Sequence, residues 1–138
     1  YYNMEPKIII EKLLLDSRGK VPTDYKFFTF NGKIKFIQID LDRFSNHQRI
    51  LYDENWEKIP VEYHFPLYDG DVATPNKLVE MKEIVYSLTN KLNFARVDLF
   101  CLNNQIYISE VTFTPGANLE CFKPNIYDDI FGKYYNIS

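Results

Sequence analysis

The sequence predicts an α+β domain in which a mostly antiparallel sheet is packed by one long helix, and three observations carry that reading. Two alternating runs, Asp24 to Phe30 and Lys33 to Asp40, flank Asn31-Gly32, the strongest short-range hairpin signal a sequence offers. A second pair of runs, within Phe94 to Gly116, alternates apolar and polar residues about Asn103-Asn104. Between the two hairpins Leu78, Met81, Val85, Leu88 and Leu92 recur at three- and four-residue steps, with Lys77, Glu80, Lys82 and Glu83 mostly opposite. That pattern is an amphipathic helix over about residues 76–92, opened by Pro75-Asn76.

A chain of 138 residues forms one domain, long enough to bury about two thirds of its unfolded surface. Aromatic residues reach 17%, which favours strands and ligand-lined clefts. The net charge of −3 and the lack of a Lys/Arg block exclude an electrostatic case for nucleic acid, so an anionic ligand must be met by particular residues. Cys101 and Cys121 stand singly without metal-type spacing, as reduced thiols of a cytoplasmic protein do. No apolar run approaches the ~20 residues of a membrane span, and no signal peptide is visible. Tyr1-Tyr2-Asn3 precedes Met4, and the chain reads as a piece of a larger protein.

Taken in order, Lys7 to Leu15 (KIIIEKLLL) reads as a buried strand, with helix as the alternative. Glu11 interrupts it, and a carboxylate in such a run is either paired or functional. With Asn31-Gly32 as the turn, the first hairpin pairs Phe30 with Lys33, Phe28 with Lys35, Lys26 with Ile37 and Asp24 with Ile39; Lys33 and Lys35 read as solvated. The polar stretch after Asp40 offers Arg43 and Arg49 as oxyanion ligands. His47 and His64 are too far apart in the sequence, and too unsupported, to make a dyad. Residues 50–74 read as irregular, with at most one short strand near Val61 to Phe65 and with Asp53, Glu54 and Trp56 as possible substrate-loop residues. Beyond Gly116 periodicity is weak.

The register of the second hairpin decides what its carboxylates do, because a one-residue slip moves a side chain to the other face. A two-residue turn at Asn103-Asn104 opposes Asp98 to Ser109. A three-residue loop, Asn103 to Gln105, pairs Leu102 with Ile106 and Asp98 with Glu110. The second register is expected, because it sets Arg96, Asp98, Glu110 and Thr112 on one face and Ala95, Val97, Leu99, Val111 and Phe113 on the other. Opposed carboxylates need a positive charge between them, either Arg96 or a hard divalent cation such as Mg²⁺, which is commonly held by one or two carboxylates plus phosphates. Thr114-Pro115-Gly116 breaks the strand and is expected to free backbone N–H groups beside them.

Arg96-Val97-Asp98, a short turn, and then Ser109-Glu110-Val111-Thr112-Phe113-Thr114-Pro115-Gly116 resembles the metal-binding hairpin of the ATP-grasp superfamily, and most of all its TupA-like branch, associated with teichuronopeptide and capsular or surface polysaccharide synthesis. The resemblance implies the C-terminal half of an ATP-grasp module, with ATP and Mg²⁺ as cofactors and a carboxylate-bearing sugar or peptide as substrate. Asp98 and Glu110 would bind the metal. Thr112 stands where many ATP-grasp enzymes place an Asn that helps hold a second metal. Glu11, Lys12 and Leu14 would meet the adenine edge, Asp24 the ribose and Lys26 the phosphates. Arg96 and Arg43 would act on the transferred group. The implied protein is a carboxylate–amine ligase working through an acylphosphate, with the preceding lobe, its lysines and its glycine-rich flap lying outside this sequence. Two other classes stay open: a non-catalytic or glycosyltransferase-associated domain that binds nucleotide or sugar, and a structural α+β domain with an Arg-bridged carboxylate pair.

Overall fold

The computed structural model describes residues 5–135, and the opening Tyr-Tyr-Asn-Met lies outside them. Six strands form one antiparallel sheet in the order β4-β3-β2-β1-β6-β7. These are β1 (Asp24–Phe30), β2 (Lys33–Leu41), β3 (Gln48–Tyr52), β4 (Lys58–Ile59), β6 (Phe94–Leu102) and β7 (Gln105–Thr112). β5 (Glu62–Tyr63) and β8 (Phe122–Lys123) pair separately, and the helices are α1 (Leu78–Thr89) and α2 (Ile126–Gly132). The α+β architecture is the one expected, with a short second helix in addition to the long one.

Alternation along the strands divides the sheet into two faces. One face is mainly apolar: Tyr25, Phe27, Ile37, Ile39, Ile50, Val97 and Leu99 pack under Met81 and Val85 of α1. The buried stripe of α1 is narrower than its sequence pattern suggests. Leu88 is exposed, and Thr89, buried in its place, donates its hydroxyl to the Val85 carbonyl at 2.8 Å. The opposite face is split. At one end Phe28, Phe30, Phe36 and Leu51 form an aromatic cluster roofed by Tyr63, Phe122 and Phe131. At the other end the same face is charged.

Two one-residue bulges set which side chains reach that charged end. In the first hairpin the turn is Asn31-Gly32, as expected, and Phe30 faces Lys33. The register shifts between Phe28 and Thr29, leaving Lys35 extra, so that Phe28 faces Phe36 and Lys26 faces Gln38. The expected Phe28–Lys35 and Lys26–Ile37 pairs are corrected by that shift, which places Phe36 in the aromatic cluster and Gln38 and Asp40 beside Lys26. In the second hairpin the turn has two residues, Asn103 and Asn104, with φ of 50° and 64°, and Leu102 faces Gln105. The three-residue loop is therefore overturned. Asp98 nonetheless opposes Glu110, because the shift at Asp98/Leu99 leaves Ser109 extra.

Three further expectations are corrected. Lys7 to Leu15 is neither strand nor helix and is not buried: Ile8, Ile9 and Ile10 are 92%, 81% and 92% exposed, since no strand of the described residues pairs with the segment. The polar-looking stretch after Asp40 contains a core strand, β3, in which Ile50 and Leu51 are fully buried and Arg49 pairs with Asp40 of β2. Beyond Gly116, Phe122 and Phe131 enter the second core although their spacing follows no single period.

Candidate functional site

The charged end of the sheet is a row of neighbours across five strands. β1 contributes Asp24 and Lys26, β2 Gln38 and Asp40, β3 Arg49, and β6 Arg96 and Asp98, with Glu110 and Thr112 on β7. All of these but Thr112 border a cavity of about 460 Å³.

Asp98 is its anchor. Its side chain is 3% exposed and accepts from Arg96 Nε at 2.7 Å and from Lys26 Nζ at 2.6 Å. Arg96 also reaches Glu110 Oε2 at 3.0 Å, so the opposed carboxylates share one guanidinium. Burial opposes the Arg96 charge, but the hydrogen bonds and charge of Asp98, with Glu110 behind it, raise its pKa further above the ordinary value. Lys26 bridges Asp24 and Asp98. Burial pushes the Asp24 carboxyl up, outweighing Lys26, and its Oδ1 has no hydrogen-bond partner among the described residues. Arg43, half exposed, stands 3.6 Å from Asp24 at the rim.

A second network lines the far wall. Arg49, 5% exposed, donates to Asp40 at 2.7 Å, to the Tyr63 carbonyl at 3.0 Å and to Glu120 at 3.1 Å. Its guanidinium lies 4.9 Å from the rings of both Tyr63 and Phe65. His47 contacts Asp40 at 3.1 Å and stacks on Phe65. Burial would raise the Asp40 pKa, yet Arg49 and the hydrogen bonds from His47 and Gln38 outweigh it and hold the carboxyl below its ordinary value.

Glu11, Lys12 and Leu14 lie away from this network, along a cavity of about 560 Å³ closed on its other side by Phe100, Tyr107 and Ser109. Ser109, the bulged residue, and Phe100 border both cavities. The structure thus gathers Asp24, Lys26, Arg43, Arg96, Asp98, Glu110 and Thr112 at one end and sets Glu11, Lys12 and Leu14 beside them. In the turn after β7 the amides of Ala117 and Leu119 bond the carbonyls of Thr114 and Gly116. Sequence reasoning missed Gln38 and Asp40. Their signal was the alternation Phe36-Gln38-Asp40, hidden by the unforeseen bulge at Lys35.

Magnesium can be tested against this donor set. Among the described residues no group of three or more His, Cys, Asp and Glu side chains converges, so the chain offers two carboxylates and the Thr112 hydroxyl, whose buried Oγ1 has no partner. Oxygen donors in that number suit a hard cation that completes its shell with phosphate and water. Glu110, 56% exposed, is free to turn from Arg96 toward such an ion. The residues fit.

Among the described residues no helix is long and apolar enough to cross a membrane. No curated protein and no solved structure matches the chain. The family model for TupA-like ATPgrasp matches residues 1–136, nearly the whole length. By that match the chain belongs to the TupA-like ATP-grasp family.

Proposed function

We propose that this chain is the C-terminal nucleotide- and metal-binding lobe of an ATP-dependent carboxylate–amine ligase of surface or capsular polysaccharide synthesis, acting through an acylphosphate. Family membership supports the general ligase-like role. The observation that carries the finer reading is the opposition of Asp98 and Glu110 on one face, beside Lys26 and Arg96.

In this reading the backbone of Glu11 to Leu14 meets the adenine edge, one carbonyl and one amide matching an exocyclic amine and a ring acceptor. Asp24 accepts from the ribose hydroxyls. Lys26, held between two carboxylates, contributes a fixed positive charge to the phosphates. Asp98, Glu110 and Thr112 would hold Mg²⁺, which when bound neutralises phosphate charge and polarises the transferred group. Arg96 stabilises the charge that develops during transfer, where a preorganised cation in a dry site supplies several kcal/mol, and Arg43 closes the rim over the same group.

Calorimetry of the full-length protein with ATP and Mg²⁺ tests the reading. Asp98→Asn and Glu110→Gln are each expected to weaken metal-dependent ATP binding by more than roughly tenfold. Unchanged binding in both variants removes the metal assignment and the ligase reading with it.

A further inference from the structure

Among the described residues three buried side-chain atoms lack a hydrogen-bond partner, Asp24 Oδ1, Gln38 Oε1 and Thr112 Oγ1, and all three fall at the charged end of the sheet. A buried acceptor left unmet is costly. Thr112 belongs to the metal row, and the other two flank Lys26.

Lys26 stands between two neighbouring strands. Asp98 lies directly opposite it on β6 and Gln38 directly opposite it on β2, so the three side chains share a face. Its ammonium has gone to one side, where it bonds Asp24 Oδ2 and, at 2.6 Å, Asp98 Oδ2. The other oxygen of Asp24 and Gln38 Oε1 are left unmet. Gln38 is 2% exposed, and its amide nitrogen is committed to Asp40 at 3.0 Å, so Oε1 is the end that can still accept. Opposed side chains start roughly 5 Å apart at Cβ, a gap that the four-carbon stem of a lysine spans.

Asp98 is already full. Its Oδ1 takes Arg96 Nε at 2.7 Å, and its Oδ2 takes both Arg96 Nη2 at 2.8 Å and Lys26 Nζ. An oxygen with two donors on it has no lone pair to spare, and a divalent ion arriving there must displace a donor of its own sign. Arg96 grips Asp98 with two nitrogens and Glu110 besides, whereas Lys26 holds Asp98 by one bond. Lys26 is the donor that yields.

We propose that Gln38 is a positioning residue for Lys26: when a divalent cation takes Asp98, the ammonium crosses to Gln38 Oε1, with Asp24 as its pivot. The shift clears Asp98 for the metal without expelling the lysine's charge from the cleft. This rests on the ligase reading, in which Asp98 binds the metal and Lys26 faces the phosphates.

The probe is Mg²⁺ alone, titrated into the full-length protein, with the side-chain amide NMR signals of Gln38 and the Mg²⁺ affinity as readouts. In the unaltered protein the Gln38 signals are expected to move together with the backbone of Asp98, and in Lys26→Met to stay put. Lys26→Met removes the competing charge and is expected to bind Mg²⁺ about tenfold tighter. Gln38→Met keeps the length of the side chain but not its acceptor; it is expected to bind Mg²⁺ about tenfold more weakly, yet to change nothing once Lys26 is gone. Weaker Mg²⁺ binding in Lys26→Met, unchanged binding in Gln38→Met, or the same loss from Gln38→Met in both backgrounds overturns the proposal. If a variant does not fold, the shifts of the unaltered protein decide alone. Mg²⁺ at Asp98 with an unmoved Gln38 sinks this role and leaves the ligase reading, while Mg²⁺ that perturbs neither Asp98 nor Glu110 sinks the metal assignment and this role with it.

Discussion

Asp24 and Asp40 sit in one cleft and respond to their surroundings in opposite ways. Burial raises Asp24 more than Lys26 lowers it, whereas Arg49 and its companions lower Asp40 more than burial raises it. Their contributions to stability therefore run in opposite directions with pH. Asp40, depressed in the fold, stabilises above the ordinary carboxylate pKa of 3.8, and that gain is lost as pH falls through its folded value. Asp24, raised in the fold, contributes less as pH climbs from 3.8 through its own folded value. Urea unfolding across pH 3–7 checks both. Asp40→Asn is expected to cost about 3 kcal/mol at neutral pH, by stripping a partner from buried Arg49, and to flatten the acid limb of the profile. Asp24→Asn should remove the opposite slope, raising stability at pH 7 relative to its effect at pH 3.

The first hairpin shows how tightly one element depends on another. Gly32, at φ 71°, turns against the end of α1, where a Cβ would meet Asn90 Cα at 3.0 Å and its carbonyl oxygen at 3.2 Å. Both neighbours are backbone and cannot step aside. Gly32→Ala is expected to cost about 1–2 kcal/mol from the left-handed conformation alone, with the helix contact adding to it, measured as a lower urea midpoint at unchanged slope. Asn31-Gly32 was legible because only such residues close a two-residue turn, and α1 because Met81 and Val85 fall on one stripe. What followed the turn was hidden. A bulge has no strong sequence mark, and Lys35 carries none, so the partners of Lys26 came out one residue off. The second hairpin shows the same blindness with a kinder result: Asn103-Asn104 was given one residue too many, Ser109 one too few, and the two errors cancelled at Asp98 and Glu110. Strand β3 was lost because Arg49 and Gln48 read as loop chemistry, whereas Arg49 is made tolerable in the core by Asp40 and two aromatic rings.

For the whole molecule, the mismatch between pattern and burial lies in the segment before Asp16. An Ile-Ile-Ile run was expected to be interior, yet burial depends on a partner surface that the sequence of the run does not encode. Ile8, Ile9, Ile10 and Leu13 remain exposed, and β7, last in the sheet order, has no partner on its outer edge among the described residues, with Ile108 54% exposed. Apolar side chains and an open edge together promote association. The chain in isolation is expected to self-associate with rising concentration, and the double variant Ile8→Lys, Ile10→Lys to shift sedimentation toward the monomer. Equal sedimentation of the two proteins would locate the association elsewhere.

The surplus residue at position 109 has one more consequence. Removing it would leave Glu110 still facing Asp98 and restore an uninterrupted ladder, so a protein engineer seeking sturdiness would be drawn to excise it. Yet Ser109 is a wall that the two hollows share. A tidier pleat would thus take a wall from both of them: the irregularity marks where the strand stops serving as scaffold and begins to shape the surface beside the carboxylates.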